Sequence, residues 1–345
     1  MGVIARIILE EFTAFKKLNL NLSPGINVLL GKNGVGKTHL LKVIYAACAV
    51  TYGEDAEKGF GLKLCNVFNP YEGRPGRLSK RVKGSVRTRV AVFRGGRKAL
   101  IAKFSNHSKK SGDIQVTGES DWKSEELNCV YIPVKEMLTH APGFLATVSR
   151  REIAFEDIYV DIIKRANLPK LKNLIGESRN DLLKQLEGSI DGKVFLKNEH
   201  FFLKNNQGEL EFTLLAEGMR KLALIWLLIQ NGVLFSGSVL FWDEPEANLN
   251  PSLIGDVVEI ILTLQRLGVQ VFLATHNYVL LKEFDLRQKS GDMIRYISLY
   301  RDQPDGDISS SFADAYAGIT PDAIAETFDR LYDEEIRRSL RGLVL

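Results

Sequence analysis

The sequence predicts an α/β fold with a mixed, mostly parallel sheet, and three observations support this prediction. Short apolar strands alternate with longer apolar helices over most of the chain, which is the pattern of a parallel sheet covered by helices. The segment Gly31–Thr38 reads G-x-x-x-x-G-K-T between a predicted strand and a predicted helix. A second buried strand, Ser238–Trp242, ends directly before the acidic pair Asp243-Glu244.

Size and composition indicate a globular protein. The 345 residues suit one large domain or two smaller ones, and an apolar content of 45% is enough for a hydrophobic core. No apolar run reaches the roughly 18–20 residues that a membrane span needs. The opening Met1–Phe12 carries acids where a signal peptide needs an apolar stretch. Three cysteines without metal or redox spacing fit a reducing compartment. We therefore expect a cytoplasmic protein without membrane contact.

The first third of the chain changes character after the glycine-rich loop. Residues 3–30 read as two or three strands that end with the buried segment Ile26–Leu30, and Thr38–Val50 reads as an apolar helix. From residue 51, glycine and basic residues become frequent. Alternation from Val86 to Val92, followed by Gly95-Gly96, predicts a β-hairpin. We expect residues 51–127 to form an inserted, basic, β-rich arm.

Strands and helices alternate again in the rest of the chain. The predicted strands are Asn128–Ile132, Lys193–Leu196, His200–Leu203, Glu209–Phe212, Ser238–Trp242, Val269–Ala274 and residues 292–300. The predicted helices are Glu152–Ala166, Ser178–Gly188, Ala216–Gln230, Pro251–Leu267 and a charged terminal helix, Pro321–Leu340.

The glycine-rich loop has the composition of a phosphate-binding site. Its residues are Gly31, Lys32, Asn33, Gly34, Val35, Gly36, Lys37 and Thr38, with His39 next in the helix. Glycines let backbone N–H groups converge on phosphates, and the helix N-terminus adds a partial positive charge. Lys37 is expected to reach the β- and γ-phosphates, and Thr38 is expected to ligate Mg²⁺. The loop therefore predicts binding of ATP with Mg²⁺.

The acidic pair after the buried strand supplies the second half of such a site. A carboxylate at a strand end, Asp243, can lie beside Mg²⁺, and the adjacent Glu244 can activate the attacking water. Taken alone, the pair has the solvated strand end as its less favoured interpretation. Its occurrence with the glycine-rich loop favours the catalytic interpretation.

Three further motifs make the chain resemble the ABC ATPases. Glu246–Pro251 resembles their D-loop, and His276, 32 residues after Glu244, resembles their switch histidine. Leu215–Lys221 opens an apolar helix as their signature motif does. The resemblance implies hydrolysis between two copies of the chain. It also implies that Gly218 contacts the γ-phosphate held by the opposite subunit, and that Asn250 and His276 couple the two sites.

The sequence departs from the ABC pattern at two places. Ala216 replaces the signature serine, which predicts slow turnover. The loop after Tyr131-Ile-Pro133 lacks the usual glutamine, and Lys135 or Glu136 is expected to line it instead. Phe12 and Phe15 lie where related proteins approach the adenine, although either residue is equally compatible with the core.

The particular residues in these motifs indicate a branch of the family. Phe12–Leu30, with its lead-in Leu-Ser-Pro-Gly-Ile-Asn-Val, resembles RecF, SMC and OLD-type ATPases. The stretches WDEPEANLNP and LLAEGMRKL are similar to stand-alone ATPases of bacterial anti-phage systems such as Septu and PARIS. The resemblance covers an ATPase head of residues 1–50 and 128–300, whose helical lobe is about residues 145–230. Residues 301–345 follow as a helical tail.

Several functions are compatible with this resemblance. The leading interpretation is an ATPase subunit that forms a homodimer or higher oligomer on binding ATP and gates a nuclease or toxin effector in anti-phage defence. The alternatives are a RecF-like, nucleotide-switched DNA maintenance protein, and a weakly hydrolysing nucleotide sensor.

One segment carries an unusual charge. Residues Arg77–Lys110 contain 12 Lys or Arg and no Asp or Glu. Such a segment can bind nucleic acid through its phosphates, but only Phe93 and Phe104 offer stacking surfaces. A solvated hairpin or a surface for an acidic protein explains the charge equally well.

Overall fold

A six-stranded, mostly parallel sheet forms the centre of the protein. The computed structural model describes residues 3–97, 99–151, 153–171, 176–303 and 306–342. The strand order in the central sheet is β14-β13-β3-β12-β11-β7. All neighbouring pairs are parallel except β13 and β14. The α/β fold with a mixed, mostly parallel sheet is therefore confirmed.

The strands and helices follow one another in this order. The strands are β1 Ile4–Phe12, β2 Phe15–Asn21, β3 Ile26–Leu30, β4 Arg87–Arg94, β5 Leu100–Ser105, β6 Gln115–Thr117, β7 Cys129–Ile132, β8 Lys193–Lys197, β9 His200–Asn205, β10 Gly208–Glu211, β11 Val239–Asp243, β12 Gln270–Thr275, β13 Ile294–Arg301 and β14 Ile308–Ala313. The helices are α1 Lys37–Ala49, α2 Gly53–Lys58, α3 Phe60–Phe68, α4 Glu119–Trp122, α5 Phe144–Arg151, α6 Asp157–Ala166, α7 Glu177–Ser189, α8 Glu217–Gln230, α9 Ile254–Arg266, α10 Tyr278–Arg287 and α11 Ala325–Gly342.

The central sheet divides the hydrophobic core into two layers. Successive side chains of a strand point to opposite faces, and β11 shows this clearly. Leu240 and Trp242 pack with helices α7 to α10 on one face, whereas Phe241 packs with α1 and the N-terminal strands on the other. Because both faces are covered, β3, β11 and β12 are buried along their whole length.

A second sheet, antiparallel, covers one side of this core. Its order is β2-β1-β4-β5-β6. The predicted hairpin is confirmed, since β4 and β5 pair antiparallel. Thr88, Val90 and Val92 face inward and are buried, whereas Arg87 is exposed.

The structure of residues 51–127 differs from the arm predicted by the sequence. Residues 53–68 form the helices α2 and α3 rather than strands. Strands β4 to β6 do not form a sheet of their own, because β4 pairs along the edge of β1. The physical reason is burial: the apolar inner face of β4 and β5 needs the helices α1 and α3 to cover it.

A helical lobe and a small sheet precede the signature segment. The lobe contains α5 to α8, and the small sheet has the order β10-β9-β8. The predicted helix Glu152–Ala166 begins at a residue outside the described part of the chain, and the observed helix α6 begins at Asp157. Among the described residues, no helix is both long enough and apolar enough to cross a membrane.

A buried lysine on α3 connects this helix to α1, α2 and α6. The Lys63 side chain is fully buried, and its Nζ lies 2.6 Å from Asp55, 3.0 Å from Asp157 and 2.6 Å from Asp161. Burial alone would lower the pKa of Lys63, but the three carboxylates outweigh it and raise this pKa. Tyr45 on α1 donates a further hydrogen bond to Asp161 at 2.7 Å. The cluster therefore joins α1, α2, α3 and α6.

The Lys63 cluster gives a stability prediction. Lys63→Met is expected to lower the free energy of unfolding by about 3–5 kcal/mol, because buried carboxylates lose their cation. Chemical denaturation measures this loss. The matched control is Lys164→Met, whose exposed pair with Glu54 is expected to contribute less than about 1 kcal/mol. Equal losses in the two variants would contradict a structural role for the cluster.

Candidate nucleotide-binding site

The glycine-rich loop joins β3 to α1 through backbone conformations that side chains disfavour. Gly31, Gly34 and Gly36 have φ values of 143°, 80° and 91°, in the left-handed region that glycine adopts most readily. A Cβ on Gly31 would lie 2.2 Å from the carbonyl oxygen of Leu299. The loop therefore needs glycine for both conformation and space, and it leads directly into the N-terminus of α1.

Lys37 folds back over this loop. Its Nζ donates hydrogen bonds to the carbonyl oxygens of Gly31 at 2.6 Å and Lys32 at 3.1 Å. Burial lowers the pKa of Lys37, and neighbouring carboxylates, first Glu244 and then Asp243, oppose this shift. The side chain is thus a buried cation beside the loop backbone.

Thr38 and Asp243 meet at the end of the central sheet. Thr38 Oγ1 donates a hydrogen bond to Asp243 Oδ1 at 3.2 Å, although 205 positions separate the two residues. Tyr131 on β7 donates to the other oxygen, Oδ2, at 3.0 Å. Burial raises the pKa of Asp243, and these two hydrogen bonds oppose the shift.

The chemistry of this pair fits Mg²⁺. Hydroxyl and carboxylate oxygens are ligands that this hard cation prefers, usually with substrate phosphate and water as the other ligands. Within the described part of the chain, no group of three or more His, Cys, Asp or Glu could hold a metal by itself. Thr38 and Asp243 therefore fit a metal that a phosphate ligand completes.

Glu244 and His276 face each other beside this pair. Glu244 follows β11 with a φ of 48°, a left-handed conformation that turns the chain sharply. Its Oε1 lies 3.2 Å from Nδ1 of His276, which follows β12. The structure thus brings both predicted catalytic residues together at the carboxyl ends of adjacent strands.

Glu246, to which the sequence assigned no separate role, links the ends of β11 and β12. Thr275 Oγ1 donates to Glu246 Oε1 at 2.6 Å, and the His276 backbone N–H donates to the same oxygen at 3.3 Å. Burial raises the pKa of Glu246, and the hydrogen bond from Thr275 opposes the shift. Glu246 therefore fixes the D-loop segment, residues 246–251, against the end of β12.

The signature segment packs on the D-loop of its own chain. Lys221 on α8 is buried and donates from Nζ to the carbonyl oxygen of Ala247 at 2.6 Å. Asn248 Nδ2 donates to Glu217 at 2.9 Å. A Cβ on Gly218 would lie 2.6 Å from the side chain of Leu249, so a larger residue here would require Leu249 to move.

The exposed end of this segment faces away from the core. Ala216, at the N-terminus of α8, is exposed.

Asn250, in the D-loop, accepts hydrogen bonds from the backbone N–H and the hydroxyl of Ser252, both at 3.0 Å. Asn250 therefore caps the turn that follows the D-loop.

Three aromatic residues predicted at or near the nucleotide pack against other side chains instead. His39 packs its ring on Phe68 at 5.7 Å, and burial followed by the charge of Lys42 lowers its pKa. Phe12 and Phe15 are both fully buried. Both are core residues. The ring of Phe15 packs against the loop, 2.6 Å from the position that a Cβ on Gly36 would have.

The loop after β7 also has a defined structure. The Glu136 side chain is buried and lies 3.2 Å from the guanidinium of Arg220 on α8. It also accepts hydrogen bonds from the Leu138 backbone N–H and from Thr139. Burial raises the pKa of Glu136. Lys135 is exposed, so of the two predicted loop residues it is Glu136 that joins the loop to the signature helix.

The fold and the geometry of the loop define a P-loop nucleotide-binding domain of ABC type. Residues 103–282, more than half of the chain, match the family described as "AAA domain, putative AbiEii toxin, Type IV TA system". The chain belongs to this family. The matched segment contains Asp243, Glu244 and His276 and begins after the glycine-rich loop.

The chain is similar in sequence to RecF proteins. The chain is 28% identical to the DNA replication and repair protein RecF of Listeria monocytogenes over 185 residues, 52% of this chain and 44% of that protein. It is 27% identical to RecF of Ligilactobacillus salivarius over 200 residues, 56% of this chain and 47% of that protein. The chain therefore spans just under half the length of these curated relatives.

Solved structures share the fold. An SMC head bound to the C-winged helix domain of ScpA superposes with a TM-score of 0.57 at 13% identity, over 92% of this chain and 100% of that chain. The SMC head with an extended coiled coil from Pyrococcus furiosus gives 0.52 at 13% identity, over 98% of this chain and 100% of that chain. The family model thus gives an AAA-type domain, and the chain is similar in sequence to RecF proteins and in fold to SMC heads.

The hydroxyl of Tyr131 gives a testable prediction. Burial raises the pKa of Tyr131 well above its ordinary value, so the hydroxyl stays protonated and donates to Asp243. Tyr131→Phe removes a hydrogen bond that lowers the pKa of Asp243. This pKa should rise, so protons should compete with Mg²⁺ at higher pH than in the parent.

The measurement is Mg²⁺-dependent nucleotide binding as a function of pH. The acid limb should move to higher pH, with Mg²⁺ affinity reduced several-fold near neutral pH, as expected for loss of a hydrogen bond to a charged group. Tyr45→Phe is the matched control, because that hydroxyl donates to Asp161 instead. An unshifted acid limb in Tyr131→Phe would show that Tyr131 does not position the carboxylate.

Proposed function

We propose that the chain binds ATP with Mg²⁺ and hydrolyses it between two copies of itself. The observation that carries this proposal is the 3.2 Å contact between Thr38 Oγ1 and Asp243 Oδ1. It joins the start of a phosphate-binding helix to an acidic strand end, which are the two halves of a P-loop ATPase site. Glu244 directly follows Asp243 in the chain.

Each group has a proposed role. Backbone N–H groups of residues 31–36 and the ammonium of Lys37 bind the phosphates. Thr38 and Asp243 hold Mg²⁺, which neutralises charge on the phosphates. Glu244 accepts a proton from the attacking water, and His276, held 3.2 Å away, orients this carboxylate and senses the γ-phosphate.

The second copy completes the site. The N-terminus of α8 carries a partial positive charge, and Ala216 and Gly218 begin that helix. In a head-to-tail homodimer this end of α8 would meet the γ-phosphate held by the other copy, while Asn250 couples the two sites. The missing hydroxyl at Ala216 favours slow turnover, and a nearly inactive nucleotide sensor is the limiting case.

The ATP-bound dimer is proposed to gate a protein effector. The family description names a toxin and a type IV toxin–antitoxin system, which supports a role for this chain beside a nuclease or toxin in anti-phage defence. Purification of the natively tagged protein followed by mass spectrometry tests this role. Recovery of the chain alone, with and without ATP, would contradict effector gating.

A second candidate function is supported by the outer face of the antiparallel sheet. Arg87, Arg89 and Lys103 line a cleft of about 600 Å³ on this face, with Glu10 and Asp113 also in its wall. Arg89 lies opposite Lys103 across the β4–β5 pair. Together with the similarity to RecF, this basic face favours a nucleotide-switched protein that contacts DNA phosphates.

Glu244→Gln tests the ATPase assignment. The variant should bind ATP but hydrolyse it at least about 10²-fold more slowly, because the general base is lost. It should trap the ATP-bound dimer, measured as ATP that stays bound to the protein through size-exclusion chromatography. Lys37→Ala should lose nucleotide binding and the ATP-dependent dimer, because the cation beside the phosphates is gone.

The control and the wild-type rate complete this test. Glu283→Gln changes a surface carboxylate that pairs with Arg287 and should turn over at the parent rate. Steady-state phosphate release by the parent chain distinguishes a slow ATPase from a sensor. Hydrolysis by Glu244→Gln at the parent rate would refute Glu244 as the base.

The basic face gives a separate prediction for nucleic acid. If it binds phosphates, double substitution Arg89→Ala with Lys103→Ala should weaken DNA binding and lower the slope of log affinity against log salt by about 2. Lys184→Ala, an exposed lysine on α7, is the control and should leave the slope unchanged. An unchanged slope in the double variant would show that the basic face does not contact DNA phosphates.

A further inference from the structure

Helix α11 extends from the body of the protein, and among the described residues its apolar side is covered only at its start. Every side chain from Glu326 to Leu340 is exposed. At the start of the helix, the ring of Phe328 stacks on Tyr278 of α10 at 4.4 Å. Large apolar residues recur at the spacing of one helix face, and these are Phe328, Leu331, Tyr332, Ile336 and Leu340, each 42–65% exposed.

Such a helix gains little stability from its own sequence. Isolated helices of this length are marginal in water, and most helical stability comes from packing of the apolar face. An uncovered apolar stripe of this kind marks an interaction site more often than a free surface. The question is therefore which surface covers it.

The charges along α11 point to another copy of the same helix. Residues 326–335 carry five acids, Glu326, Asp329, Asp333, Glu334 and Glu335, and a single arginine. Residues 337–341 carry three arginines, Arg337, Arg338 and Arg341, and no acid. The first part of the helix is thus acidic and the last part is basic.

We propose that α11 pairs with α11 of a second copy, in antiparallel orientation, and that this pair forms a homodimer without nucleotide. Antiparallel pairing places the acidic part of each helix beside the basic part of the other and brings the apolar stripes together. Parallel pairing would set acid against acid. A two-fold axis near residue 334 brings Phe328 of one copy opposite Leu340 of the other, as a self-complementary interface requires.

This interface is separate from the head-to-tail contact of the proposed ATPase dimer. It uses α11 rather than Ala216 and the D-loop, so it does not depend on ATP. The two interfaces on one chain would allow ATP either to close one dimer or to connect dimers into larger assemblies.

Sedimentation of the full chain in EDTA without nucleotide tests the proposal. The parent should sediment as a dimer at about 20 µM, and its dimer population should follow mass action on dilution. Leu331→Ser with Ile336→Ser should raise the dissociation constant at least ten-fold, since each change exposes the partner's apolar surface to a polar group. Lys37→Ala should remain a dimer, which separates this interface from the one driven by ATP.

A matched control and a cross-linking measurement complete the design. Leu286→Ser alters a leucine that is 79% exposed on α10 and should leave the dimer intact. For orientation, chains with Asp329→Cys and chains with Ser339→Cys are mixed and oxidised. The antiparallel arrangement should cross-link the mixture far more than either chain alone, and the native cysteines, all buried, should not interfere.

Three results would overturn the proposal. A monomeric parent at this concentration would show that α11 does not pair with a second copy of the chain. A dimer that survives the double serine variant would place the interface elsewhere. Cross-linking of Asp329→Cys alone at the efficiency of the mixture would show a parallel pair.

Discussion

The contact between Thr38 and Asp243 depends on the order of strands in the central sheet. β3 and β11 lie on either side of β12, so the loop after β3 and the acid at the end of β11 open on the same edge. A shift of β11 by one residue would turn Asp243 to the opposite face, because side chains alternate along a strand. The hydroxyl of Tyr131, on the next strand, holds the second carboxylate oxygen. Three strand ends therefore position one carboxylate.

A continuous set of contacts connects this carboxylate to the signature helix. Glu246 joins the D-loop to the end of β12, where His276 follows. Lys221 joins α8 to the same D-loop through a backbone carbonyl. Because these donors and acceptors are largely buried, separating any of them would leave a polar group without a partner, at a cost of about 1–3 kcal/mol. These contacts therefore hold α8 in a fixed position relative to the backbone that follows Glu244.

Local patterns in the sequence predicted the parts of the site that the backbone itself determines. The glycine-rich loop needs glycine at Gly31 and Gly36 for space and conformation, and the acidic pair ends an apolar strand, so both can be recognised from adjacent residues. Tyr131 and Glu246 could not be assigned roles in the same way, because their partners lie on strands distant in the sequence. The Lys63 cluster was missed for the same reason: its three acids lie on two other helices.

Residues 51–68 show a different limit of prediction. Helix α2, Gly53–Lys58, has no buried residues, so no apolar periodicity indicates it, although its Glu, Ala and Lys residues favour a helix. The hairpin β4–β5 has a local signal in its alternation, but the pairing of β4 with β1 has none. The choice of partner strand depends on the inner faces of both strands covering α1, a packing that only the folded chain provides.

Two surface features are not explained by folding. The segment Arg77–Lys110 carries 12 Lys or Arg and no Asp or Glu of its own, although Lys80, Arg89 and Arg97 pair with acids from outside the segment. The apolar side of α11 remains in contact with water, which lowers solubility. Neither feature contributes to the buried contacts that form the nucleotide site. Exposed features that lie apart from the candidate nucleotide site are best accounted for by binding, so the basic sheet face and α11 are where this chain would meet its partners.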